Sequence, residues 1–72
     1  MLLDDLIDFI SDTKSSAFKT GTEFAVTLTT KSGLELHFDK KHTVTGNTLQ
    51  FADDAGHHYA VDITEIAVLK AY

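Results

Sequence analysis

From Glu23 onward the apolar residues keep a period of two, and that alternation limits the fold more than any other feature of the chain. Phe24, Val26 and Leu28 alternate with Ala25, Thr27 and Thr29, and Leu34, Leu36 and Phe38 alternate with Glu35, His37 and Asp39. Successive side chains on a strand point to opposite faces, so each run offers one face to a core and one to solvent. The intervening "TKSG" puts Gly33 where a tight hairpin wants a positive φ. After "DKKHTVTGN", a shorter strand carries Leu49 and Phe51, "DDAG" makes a second turn ending at Gly56, and Tyr59, Val61 and Ile63 alternate in the strand that follows.

The alternation then slips by one residue. After Val61 and Ile63 the strict pattern would turn Glu65 and Ala67 inward, yet the apolar residues are Ile66 and Val68. A single tight helical turn at Thr64–Glu65, joining two strands, produces that slip. Asp62 is placed to cap the turn by accepting a backbone hydrogen bond. Five short strands without proline are consistent with one strongly bent antiparallel sheet.

Ahead of the strands, Leu2, Leu6, Phe9 and Ile10, with Leu3 and Ile7 beside them, recur at spacings of three and four. This predicts a helix over about residues 2–12, with Asp4, Asp5, Asp8 and Asp12 lying largely on the other side and toward the end where the macrodipole favours negative charge. Residues from about 13 to 22, rich in Ser, Thr, Lys and Gly, read as a linker that turns at Gly21. The expectation is a single domain over 1–72, mainly β, with an N-terminal helix and the sheet over about 23–72.

A chain of 72 residues buries only ~60% of the surface its unfolded form exposes. With no cysteine, neither a disulfide nor a thiolate metal site reinforces the fold, so association with further copies of itself is the expected source of extra stability. Eleven acids oppose six lysines, no arginine is present, and the net charge is −5. Arginine is the favoured residue for bidentate phosphate and guanine contacts, so this balance argues against general nucleic-acid binding and leaves room for a local patch. The acids at Asp4 and Asp5, the missing cysteines and the lack of a ~20-residue apolar run point to a cytoplasmic protein with no membrane partner.

In its helix, its strands and its last corner the chain resembles the Sm-like family, the small barrels of Sm proteins and bacterial Sm-like RNA chaperones, over nearly its whole length. Val26, Leu28, Gly33 and Leu36 match the family's first motif, Phe38-Asp39 resembles the start of its Asp-x-aromatic-x-Asn element, and His42 and Asn47 stand in for the remainder with extra residues between them. Val61-Asp62-Ile63-Thr64-Glu65-Ile66 matches the apolar frame of the second motif and lacks its Arg-Gly. The resemblance implies a five-stranded SH3-like barrel assembled into a homo-oligomeric ring. Its loops would converge on a pore where a base stacks on a ring side chain, a contact worth ~1–3 kcal/mol.

Carried to this chain, the expected RNA-binding residues are Lys40, Lys41, His42 and Asn47, and the expected oligomer edge is Ile66, Val68 and Leu69. Asp62 in the place of the cation would repel phosphate, so a protein-interaction module or scaffold that has lost the nucleotide pocket is the alternative. No enzyme activity, cofactor or metal is expected. His57 and His58 point to opposite faces of their strand, and Glu35, His37 and Asp39 stand roughly 7 Å apart along theirs.

Overall fold

The computed structural model describes residues 1–71. Helix α1 runs over Leu3–Thr20, eight residues beyond the predicted end, and takes in most of the expected linker. Its inward stripe explains the extra length: Leu3, Leu6 and Ile10 continue as Thr13 and Ala17 at the same spacings of three and four, all buried or half-buried. The helix stops where Gly21 adopts φ 72°, with Gly21 N–H reaching the Phe18 carbonyl and Thr22 N–H the Ala17 carbonyl at 3.0 Å. This is a Schellman termination, in which the residue that tolerates a left-handed backbone satisfies the last free carbonyls.

Beyond it, the described residues form two three-stranded antiparallel sheets. Strands β1 (Ala25–Thr30), β2 (Glu35–Asp39) and β6 (Ile66–Ala71) form one sheet in the order β2-β1-β6. Strands β3 (His42–Thr45), β4 (Thr48–Ala52) and β5 (His58–Asp62) form the other in the order β3-β4-β5. The single five-stranded sheet expected from the sequence is therefore replaced by six strands in two ladders. The segment "HTVT", expected to be loop, is a strand. Its β-branched residues pair with β4 through the Gly46-Asn47 turn, Val44 opposite Leu49 and Thr45 opposite Thr48.

The chain passes between the sheets at two corners. One is the two-residue bend at Lys40–Lys41 between β2 and β3. The other is a 3₁₀ turn over Ile63–Glu65 between β5 and β6, at the position of the phase slip. Asp62 caps it, its Oδ1 accepting from the Thr64 backbone N–H at 2.9 Å and from the Thr64 hydroxyl at 2.7 Å. Those two donors, the hydroxyl first, hold the Asp62 carboxyl below the usual carboxylate range.

Leu6 and Ile10 from the helix meet Val26, Leu28, Phe38, Leu49, Phe51, Ile63 and Ile66 in one core. Burying each such side chain contributes roughly 1.5–3 kcal/mol. The alternation expected in β6 fails for a specific reason. Thr30 pairs with Ile66 and Thr29 with Val68, so Ala67 is an extra residue in a bulge. The bulge shifts the phase again: Ile66 and Leu69 turn inward, and Val68 turns out.

Candidate functional site

Asp39 shapes the bend at Lys40–Lys41. Its Oδ1 accepts from the Lys41 backbone N–H at 2.8 Å, closing an Asx turn, and its carbonyl accepts from His42 Nδ1 at 2.7 Å. Because a carbonyl only accepts, Nδ1 carries the proton, and Nε2 is the position left for a further partner. The His42 ring stacks on Phe24 with centroids 5.5 Å apart and a 27° tilt, and meets Phe38 edge-on at 5.2 Å. Phe38 continues to Phe51 at 5.4 Å and Phe51 to Tyr59 at 5.3 Å, so five rings line up across both sheets.

Lys40 and Lys41 are exposed at this bend, and His42 is half-buried with one ring face against Phe24. Another lysine approaches His42 from the helix side. Lys14 Nζ lies 5.6 Å from the centroid of Phe24, within cation–π range, and Lys14 and His42 line one depression between α1 and β3. Lys14 was not foreseen as a site residue because the expected helix ended before it; continuing the stripe through Thr13 and Ala17 is the signal that places it.

Asn47 is not part of this group. It lies in the β3–β4 turn, where its carbonyl accepts from Ile63 N–H at 2.9 Å, so it sits beside the 3₁₀ corner with Asp62 and Thr64. His42 pairs with Phe51, whereas Thr45 pairs with Thr48 and Thr48 with Asp62. Three residues of strand, about 10 Å, thus separate the His42 end of the sheet from the end that holds Asn47. The structure keeps Lys40, Lys41 and His42 together and sets Asn47 apart from them.

The expected oligomer edge also divides. Ile66 is only 2% exposed and belongs to the core, Leu69 is half-buried against it, and Val68 is 55% exposed. Strand β6 is nonetheless an edge of its sheet, and β5 is an edge of the other.

Two open depressions of about 500 and 510 Å³ flank the aromatic row. The second is walled by Glu23, Asp39, Asp53 and Asp54. Asp53 is tied down there, accepting from the His57 backbone N–H at 2.8 Å, from the Tyr59 hydroxyl at 3.2 Å and from the His57 ring at 3.3 Å. The His57 backbone bond, with the Tyr59 and His57 side chains, holds its carboxyl below the usual range, and desolvation pushes the Tyr59 hydroxyl up. Among the described residues no group of three or more His, Asp or Glu side chains is arranged to hold a metal ion, and no helix is long and apolar enough to cross a membrane.

No protein-family model matches the chain, and no match is found among curated proteins or solved structures.

Proposed function

We propose that this chain is a divergent Sm-like domain whose two sheets are the halves of one bent barrel, and that its work is assembly into a homo-oligomeric ring. The observation that carries the reading is the 3₁₀ corner, which places two consecutive strands, β5 and β6, each at a free edge of a different sheet. A free edge presents unpaired N–H and C=O groups. Pairing β6 of one copy with β5 of the next satisfies both rows and creates a head-to-tail contact that closes on itself in a ring. A 72-residue chain without disulfides gains buried surface from the same step. In this reading the domain is a scaffold, and the acidic depression beside Asp53 and Asp54 favours basic partners.

Amide hydrogen exchange tests the pairing directly. The outward-facing amides of β5 and β6 are expected to be protected at high protein concentration and to lose protection on dilution. Fast exchange of those amides at every concentration would sink the reading.

A second reading, weak RNA binding, is favoured by Lys40 and Lys41 at the bend next to His42 and by Lys14, which shares a depression with the same ring on the helix side. Phosphate contacts by lysines make affinity fall with salt. In this reading, alanine at all three lysines weakens binding of a short U-rich or A-rich RNA and flattens its salt slope. An unchanged slope removes RNA from this face.

A further inference from the structure

We infer that the outward face of the β3-β4-β5 sheet is a binding site for a phosphate monoester. Extending the register in which His42 faces Phe51 and Ala52 faces His58 puts Lys41 and His58 on either side of Ala52, on one face of the sheet. Strands lie about 4.8 Å apart, so the two backbones stand about 10 Å from each other across β4. Long side chains from both reach the space between, and only a methyl group rises from Ala52 to fill it. The neighbouring row repeats the arrangement: Thr43 and Gln50 stand beside Ala60, again a small residue.

Together these side chains line the open depression of about 500 Å³. None of its lining residues is acidic, although the chain has eleven acids and a net charge of −5. The Lys41 ammonium is a charge-complementary donor for phosphate oxygens, and the His58 imidazole N–H, the Gln50 amide and the Thr43 hydroxyl add further donors. A phosphate monoester carries roughly −1.5 to −2 charge and three strong acceptor oxygens. Its three terminal oxygens accept from donors on both flanking strands at once, whereas a diester offers two free oxygens and a single charge. The volume exceeds that of phosphate itself and lies within the range of small-ligand clefts, about 300–1,000 Å³, which leaves room for the organic group. Pairing β5 through its edge leaves this face open, so the site does not depend on whether the chain assembles.

The test is an amide NMR titration of the labelled 72-residue chain with phenyl phosphate, inorganic phosphate and a dinucleotide with one phosphodiester. Phenyl phosphate is expected to shift Gln50, Ala52, His58 and Ala60 saturably. Lys41→Ala and His58→Ala are each expected to weaken it about tenfold, while Lys19→Ala and Lys70→Ala leave it unchanged. The site is overturned if no saturable shifts occur, if K41A and H58A bind like the parent, or if K19A weakens binding as much. Diester binding as tight as the monoester would reassign the face to a nucleic-acid backbone and overturn the monoester assignment.

Discussion

Ile63 donates its backbone N–H to the carbonyl of Asn47 at 2.9 Å, and that bond fastens the β3–β4 turn to the 3₁₀ corner. It explains why Asn47 and His42, which the family resemblance groups in one site, lie at opposite ends of a sheet. The corner holds Asn47, while Asp39 and Phe24 hold His42.

Asp62→Ala removes the acceptor for both Thr64 donors and is expected to lower the melting temperature at neutral pH. The Asp62 carboxyl is depressed in the folded state, so its contribution is present above the ordinary value of 3.8 and is lost as pH falls through the lower folded value. The melting temperatures of parent and D62A should therefore converge below pH 3.8. Asp62→Asn keeps an acceptor and is expected to melt above D62A while losing this pH dependence. A constant gap between parent and D62A down to strongly acidic pH would contradict the assigned cap.

Leu28→Ala opens a cavity beneath the β1 strand, where Leu28 is fully buried. The expected cost is about 2–5 kcal/mol, a large part of the stability of so small a domain. Leu2, 71% exposed, is the control: L2A is expected to change stability by less than about 0.5 kcal/mol. Urea denaturation at one fixed protein concentration compares them, and equal losses would contradict the assignment of the core.

Gly33 closes the β1–β2 hairpin at φ 91°, and a Cβ built there meets nothing within 4 Å. Gly33→Ala is thus expected to cost about 1–2 kcal/mol through backbone strain alone. A neutral G33A, measured by thermal unfolding, would mean that the hairpin has another conformation.

Val68 is an exposed large hydrophobic residue of the β6 edge. A lysine there keeps the strand and discourages edge pairing, so Val68→Lys is expected to shift the protein toward the monomer in size-exclusion chromatography with light scattering. An assembly of unchanged mass would remove the β6 edge from the interface.

Much of the β region was legible because one face of β1, β2, β4 and β5 is apolar at every second residue and the β1–β2 and β4–β5 turns carry Gly33 and Gly56. The 3₁₀ corner was legible because only a phase slip reconciles Ile63 with Ile66. The second half of α1 was not, since its stripe is continued by Thr13 and Ala17, which look polar or neutral beside Leu6 and Ile10. Strand β3 was missed because Val44 is its single aliphatic residue, although Thr43, Thr45 and the Gly46-Asn47 pair were the available signal. The Ala67 bulge leaves no compositional trace, so the inward turn of Leu69 emerged only from the register. Of the candidate site, the lysines at the bend were visible; the partnership with Lys14 depended on the unseen part of the helix.

Sedimentation velocity of the 72-residue chain is the most direct test of assembly through β5 and β6. One copy has a mass of 7.9 kDa. The proposal predicts one dominant species at a fixed integer multiple of that mass. A stable 7.9 kDa monomer across the concentration range would contradict it.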